Sequence, residues 1–306
     1  MTFLYKSEAR RGAIWQQMFA EQLPELPFHI WPETGDKAAV RYMGAWTLPD
    51  DLHDFTNLKV LFSVAAGVDQ LDIARIPDHV QLVRMLEPGL TAGMVEFVTM
   101  AVLALHRGIP GYLDLQRRGV WKAGINRLPG ASRVGVMGLG VLGCAVLEAL
   151  KPFGFALRGW GRTARVLDGV TCFAGADGMG GFLAGCDILI CLVPLTPETE
   201  GILNAELFAA LPEGASIVNV GRGGHLVGAD LIAALDGHLS AAVLDVFDPE
   251  PLPASDPLWS HPRIWVTPHI ASVSLPEGGA EAVIANIRRD RRGEKLLGLV
   301  ERHRGY

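Results

Sequence analysis

Residues 132–150 read SRVGVMGLGVLGCAVLEAL: an apolar, β-branched run empties into Gly138-Leu139-Gly140-Val141-Leu142-Gly143 and continues at helical spacing. A strand that turns into a helix through three glycines so placed leaves few architectures open. The first glycine permits the tight turn, the second lets the backbone approach a pyrophosphate, and the third lets helix and strand pack closely; the helix N-terminus then faces the phosphate charge. Alone, GxGxxG also describes an ordinary turn. The strand-to-helix junction is what points to a bound dinucleotide, with Gly138, Gly140, Val141, Leu142 and Gly143 as contacts.

The rest of the chain agrees with that start. At 306 residues it exceeds the usual size of one core, so two domains are expected. Candidate strands at 3–6, 39–43, 59–64 and 81–85 make one small sheet. A second series of six, at 133–137, 156–160, 187–193, 216–220, 241–246 and 264–267, has helices between most members. The class is therefore α/β, with doubly wound parallel sheets. Between the two series, TAGMVEFVTMAVLALHRGIPGYLDLQRRG is apolar on enough faces for one long, mostly buried helix that crosses between domains. The last helical stretch, 277–292, has no strand to feed and is expected to pack back on the first domain.

Charge and cysteine usage narrow the function. A formal net charge of −6 gives no general attraction to nucleic acid or anionic lipid. No secretory signal is visible at the start and no apolar run reads as long enough to span a bilayer, so a cytoplasmic protein with no membrane partner is expected. Cys144, Cys172, Cys186 and Cys191 show no CxxC spacing; small apolar neighbours make Cys144 and Cys191 read as buried thiols, and neither a disulfide nor a metal site is expected.

About 20 residues past the third glycine, NAD-binding domains carry an acid for the ribose 2′-hydroxyl. Here the second strand ends LRGWGRTAR. The acid is missing, and Arg162, supported by Thr163 and Arg165, suits a 2′-phosphate through charge-assisted hydrogen bonds. NADP(H) is the expected cofactor, with NAD(H) left open. Trp160, at that strand's end, is expected beside it.

Three later strand ends carry polar residues where an open α/β sheet places its ligand. In SIVNVGRGG, a strand empties into Val220, Gly221 and Arg222; a guanidinium fork can hold a carboxylate and polarise the adjacent carbonyl. In AAVLDVFDPEPLP, Asp245, Asp248 and Glu250 follow the next strand, and in RIWVTPHIAS, His269 follows the last one. A lone histidine at a strand end is ordinarily structural. Of the nine here, only His269 closes the final strand of the glycine-rich domain, where an imidazolium can deliver a proton to a carbonyl oxygen as hydride reaches the carbon. A neighbouring carboxylate favours the protonated ring, and Glu250 is the candidate.

Taken in order, VAAGVDQLD, GLGVLG, LVPLTPETEGILN, VNVGRGG, and DVFDPEPLP with TPHIAS resemble the D-isomer-specific 2-hydroxyacid dehydrogenase family, in particular its glyoxylate/hydroxypyruvate reductase A type; the ending, to ERHRGY, is similar too. The resemblance implies hydride transfer from NADPH to a small 2-oxo acid, giving the D-isomer where the product is chiral. Arg222 would bind and polarise substrate, Glu250 would partner His269, and His269 would be the acid. Backbone amides of Ala66 and Gly67 would hold the substrate carboxylate, as exposed N–H groups in a turn can. Asp245 would lie near the nicotinamide amide and Val193-Pro194 against the cofactor. Trp46 and Trp121 fall where related reductases put aromatic residues near the pocket, the second sometimes from the partner subunit; core or interface packing explains them equally. Met94 stands where many relatives have a small polar residue near the cofactor phosphates. The implied fold is a Rossmann cofactor domain, 96–271, inserted in a flavodoxin-like substrate domain, 1–95 plus 272–306, with an interdomain cleft, as a homodimer. A dehydrogenase of a bulkier 2-oxo acid and a non-catalytic NADP(H)-binding regulator remain the alternatives.

Overall fold

The structure, a computed structural model, describes residues 1–302; the closing 303–306 of the family-like ending lie outside the described residues. The chain divides into two compact units, Met1–Leu90 together with the chain from Val273, and Thr91–Ser272.

In the first unit, β1 (Thr2–Lys6), β2 (Phe28–Ile30), β3 (Val40–Ala45), β4 (Val60–Ser63) and β5 (Gln81–Val83) form a parallel sheet in the order β2-β1-β3-β4-β5. That is the flavodoxin-like order. Side chains alternate between faces along a strand. Phe3 and Tyr5 thus meet Trp15 and Phe19 of α1 (Ala9–Gln22), while Leu4 packs on the other side with Met43, Leu61 and Leu82. The terminal helix (Pro276–Arg291) returns to this unit and buries Ala280, Val283, Ile284 and Ile287 against the aromatic side. Each of the larger three contributes about 1.5–3 kcal/mol of apolar burial. Its last turn carries Asp290, whose carboxylate accepts from Tyr42 Oη at 2.8 Å and meets Lys59 Nζ at 2.7 Å. The strand β2 escaped the sequence reading because it is three residues long, half-buried and at an edge, so it carries little periodic signal.

In the second unit, β6 (Arg133–Met137), β7 (Ala156–Gly161), β8 (Val170–Ala174), β9 (Ile188–Cys191), β10 (Ser216–Asn219), β11 (Ala241–Leu244) and β12 (Ile264–Val266) form a parallel sheet in the order β12-β11-β10-β9-β6-β7-β8. The sequence reading expected six strands. The seventh, β8, is an edge strand with no fully buried residue, so alternation does not reveal it. Otherwise the order is the doubly wound one, reversing direction at β6. Both faces are covered: Val134, Val136, Val146 and Leu147 belong to one core, and Met137, Leu189, Ile217 and Leu244 to the other.

Two expectations about the connecting segment need correction. It forms two helices, α2 (Pro88–His106) and α3 (Ile109–Arg117), because Gly108 at φ 67° ends the first and Pro110 opens the second. Further, α2 is long and apolar enough, by length and composition, to cross a membrane, contrary to the expectation that no run was. Its single carboxylate, Glu96, interrupts an otherwise apolar stretch between Val95 and Phe97, and by itself does not stop the helix from being apolar enough. The helix is a core element: Phe97, Val98, Ala101, Val102 and Leu105 pack on Val134, Val218 and Val243.

Candidate active site

The phosphate-binding turn is built by exclusion. Gly138 has φ 116°, and its N–H donates to the Trp160 carbonyl at 2.8 Å. A Cβ there would stand 2.6 Å from the Leu192 carbonyl oxygen, and one on Gly143 would collide with the Gly138 carbonyl. Gly140 differs: a Cβ on it meets nothing within 4 Å. It is the N-cap of α4 (Val141–Leu150), and no side chain caps that helix. The first-turn N–H groups therefore face open space beside Gly140, the arrangement an anionic pyrophosphate needs.

At the end of β7 the Trp160 ring is half-buried, with Nε1 donating to the Gly175 carbonyl at 2.9 Å. Beyond it Arg162, Thr163 and Arg165 are exposed. Arg165 Nη1 lies 3.8 Å from Cys144 Sγ, so Cys144 is half-buried beside this basic turn rather than buried as expected. Cys186 and Cys191 are buried, and burial pushes both thiols up to about 12. Glu198, held below the usual carboxylate range by its hydrogen bond to Thr196, also feels the Arg162 charge. Val193 is buried next to exposed Pro194, whose carbonyl accepts from Thr199 Oγ1 at 2.7 Å. Met94 is buried in the apolar core with Val98 and Ala271.

The three polar strand ends are brought together by sheet order. Strands β10, β11 and β12 are consecutive neighbours and parallel, so the chain leaves all three at the same edge. Neighbouring strands run about 4.8 Å apart. Arg222 follows β10, Asp245 and Glu250 follow β11, and His269 follows β12. The Arg222 turn presses on the Glu250 loop: a Cβ on Gly223 would collide with the Phe247 carbonyl.

Within that edge His269 Nδ1 is 2.7 Å from Glu250 Oε2, and Phe247 N–H donates to Glu250 Oε1 at 2.9 Å. Both side chains keep over a third of their area open, 39% and 36%. With Nδ1 turned to a carboxylate, which accepts only, Nδ1 carries the donated proton and Nε2 is the nitrogen left to meet a ligand. The backbone of His269 is left-handed, φ 55°, a conformation that needs support from its surroundings. Asp245 supplies it. Its carbonyl accepts from His269 N–H at 2.8 Å, and its carboxylate, 1% exposed, accepts from Thr267 Oγ1 at 2.6 Å, Ile270 N–H at 2.9 Å and Ala271 N–H at 2.8 Å. The sequence reading expected Asp245 near the nicotinamide amide; in the structure its carboxylate braces the His269 loop.

In the first unit, Ala66 and Gly67 lie just past β4, half-buried. The buried Ser63 hydroxyl donates to the Gly67 carbonyl at 2.7 Å and accepts from Gln70 Nε2 at 2.9 Å. Trp46, half-exposed, follows β3 at the same edge, and Trp121 is fully exposed in the second unit. Sequence reasoning missed Asn219 and His225, both buried in the Arg222 turn. A polar residue closing an apolar strand and a histidine three past the arginine were the available signals.

Residues 99–271 match the family model for the D-isomer specific 2-hydroxyacid dehydrogenase NAD binding domain. The chain is 40% identical over 300 residues to a glyoxylate/hydroxypyruvate reductase A from Yersinia enterocolitica, covering 95% of this chain and 96% of that one. A D-isomer specific 2-hydroxyacid dehydrogenase from Xanthobacter autotrophicus Py2, solved with NADPH and MES, superposes with TM-score 0.94 at 41% identity, covering 100% of this chain and 99% of that one. An NADPH-dependent glyoxylate/hydroxypyruvate reductase from Sinorhizobium meliloti, solved with NADP and sulfate, superposes with TM-score 0.91 at 33% identity over the whole of both chains. The chain belongs to the D-isomer-specific 2-hydroxyacid dehydrogenase family.

Proposed function

We propose that this protein is an NADPH-dependent reductase of small 2-oxo acids of the glyoxylate and hydroxypyruvate kind. The observation that carries it is the hydrogen-bonded His269–Glu250 pair, held at one sheet edge with the Arg222 turn, in a unit whose glycine turn and uncapped α4 suit a dinucleotide. When bound, NADPH supplies the hydride. The balance is a 2-oxo carboxylate plus NADPH and one proton, giving a 2-hydroxy carboxylate and NADP⁺.

The chain's residues do the rest. Arg222 orients the 2-oxo carboxylate and draws electron density toward the carbonyl oxygen. His269 Nε2 gives its proton to that oxygen, and Glu250, at Nδ1, fixes the ring and pairs its charge. Ala66 and Gly67 N–H groups hold the substrate carboxylate, Ser63 and Gln70 presetting their turn. Gly138, Gly140, Val141, Leu142 and Gly143 receive the pyrophosphate. Arg162, Thr163 and Arg165 receive the 2′-phosphate, with Trp160, Val193, Pro194, Val220 and Gly221 along the cofactor. The first unit is the substrate-binding domain and the second the dinucleotide-binding one.

Two further parts of the reading concern the protein as a whole. Trp121, Ile125 and Leu128 are 103%, 97% and 80% exposed within a few residues of one another, an apolar stretch suited to a second copy in a homodimer. The four free cysteines suit the reducing cytoplasm.

The test is a panel of small and bulky 2-oxo acids with NADPH and with NADH, following cofactor absorbance, with molar mass measured by light scattering. Turnover with glyoxylate or hydroxypyruvate and NADPH is expected. Cofactor binding without oxidation across the panel would instead identify a nucleotide-binding regulator.

A further inference from the structure

Arg222 sits in a turn whose backbone is held by two buried side chains. Asn219 Oδ1 accepts from Gly221 N–H at 3.2 Å, and Asn219 Nδ2 donates to the Arg222 carbonyl at 3.1 Å. His225 Nδ1 accepts from Arg222 N–H at 3.0 Å. Both Asn219 and His225 are 0% exposed. Burying such groups costs free energy unless they are hydrogen-bonded. Their bonds go to the backbone of Arg222 and of the glycine before it.

The peptide joining Gly221 to Arg222 is the pivot. Its N–H is accepted by His225, and its carbonyl, on Gly221, accepts from Arg222 Nη1 at 2.8 Å. A peptide unit is planar, so holding one edge fixes the other. His225 therefore sets the direction of the carbonyl to which the guanidinium is tied. The ring lies so close that a Cβ on Gly221 would stand 2.9 Å from it. Because Nδ1 accepts, its lone pair is engaged and the ring proton belongs on Nε2.

We propose that His225, with Asn219, is a positioning residue for the reduction: it locks the 221–222 peptide plane and through it aims the Arg222 guanidinium at the 2-oxo acid. This rests on the role given above to Arg222. Displacement of a substrate-orienting group by about 1 Å can cost on the order of 100-fold in rate.

The experiment is a double-mutant cycle of His225→Leu with Arg222→Ala, joined by His225→Asn, whose amide oxygen can take the place of Nδ1. The readouts are KM and kcat for glyoxylate, inhibition by oxamate, NADPH affinity and Tm. His225→Leu is expected to lower kcat/KM roughly 10- to 100-fold, mainly through KM, and to weaken oxamate comparably with NADPH affinity kept. His225→Asn should stay within about 5-fold of the parent, and in the Arg222→Ala background the Leu substitution should add less than about 2-fold. Unchanged kcat/KM in His225→Leu, or a loss that persists undiminished without Arg222, overturns the proposal. Full turnover in Arg222→Ala alone would instead overturn the role of the arginine. Should the Leu variant not fold, Asn219→Asp keeps the acceptor for Gly221 and removes the donor to the Arg222 carbonyl. It is expected to lower kcat/KM about 10-fold with NADPH affinity kept, and no change overturns the proposal.

Discussion

Glu250 binds in two directions at once: Oε2 is 2.7 Å from His269 Nδ1 while Oε1 accepts from Phe247 N–H at 2.9 Å. The carboxylate is therefore fixed before it meets the imidazole. Glu250→Gln keeps the shape and loses the charge, and the expected result is a fall in kcat of about 10- to 100-fold. His269→Ala removes the proton donor and should fall further, about 100- to 10,000-fold. Steady-state rates with glyoxylate check both, and NADPH titrations should show nearly unchanged affinity.

The glycine turn separates folding from binding. Gly140→Ala adds a methyl where nothing lies within 4 Å, and its φ of −80° is ordinary for alanine. Its Tm should match the parent while NADPH affinity drops, the methyl standing where the phosphates approach. Gly143→Ala meets the Gly138 carbonyl and should lower Tm by several degrees, because overpacking costs about 1–3 kcal/mol. Thermal melts with and without NADPH distinguish the two.

Cofactor choice is expected to follow the exposed arginines after β7. Arg162→Ala with Arg165→Ala removes charge-assisted bonds worth about 1.5–3 kcal/mol each. KM for NADPH should rise at least about 10-fold and that for NADH barely move. Equal losses for the two cofactors would remove the assignment to the 2′-phosphate.

Asp290 sets an acid limit on the first unit. Burial alone would raise its carboxyl, but hydrogen bonds from Lys59 and Tyr42, with the charges of Lys59 and Arg41, hold it below the ordinary range. A carboxyl depressed in the folded state stabilises above its unfolded value of about 3.9, and that contribution fades as pH falls through the lower folded value. Asp187, bound bidentately by Arg133 at 2.7 and 3.0 Å, behaves alike in the second unit. Asp290→Asn should cost about 1–3 kcal/mol near neutrality. Its Tm should also vary less with pH below about 4 than the parent's, as melts across an acidic series would show.

The His269 loop depends on Asp245. Asp245→Ala leaves Ile270 N–H and Ala271 N–H without their acceptor and removes the short bond from Thr267 Oγ1, so the loop around left-handed His269 keeps only the bond to the backbone carbonyl of residue 245. A loss of about 2–4 kcal/mol is expected from buried groups left unpaired. Turnover should drop even well below Tm, as denaturant titrations paired with rate measurements would reveal.

What the sequence made legible follows signal strength. Buried interior strands such as Ile188–Cys191 and Ala241–Leu244 are unbroken apolar runs, and the glycine spacing names its own turn. Edge strands β2 and β8 were missed because half-burial leaves no alternation. The break at Gly108 was hidden because apolar spacing continues across it, and only the positive φ reveals it. At the site, Arg222, Glu250 and His269 could be found from the ends of successive strands. The second occupation of Asp245 could not, since the three partners of its carboxylate lie more than 20 residues on and meet it only through strand adjacency. Asn219 and His225 read as ordinary residues until their acceptors were seen facing one backbone.

The apolar helix α2 also has a history in time. Its packing partners Val134, Val146, Ile188, Val218, Val243 and Ala271 all come later in the chain. At translation speeds of about 5–20 residues per second, the last of them leaves the ribosome roughly 10–30 s after the helix does. Until then a nascent segment greasy enough for a bilayer has only part of its packing surface to lie against. Synthesis of this protein should therefore lean on chaperones or on slowed dilution of the emerging chain, and faster translation should raise its share of aggregate.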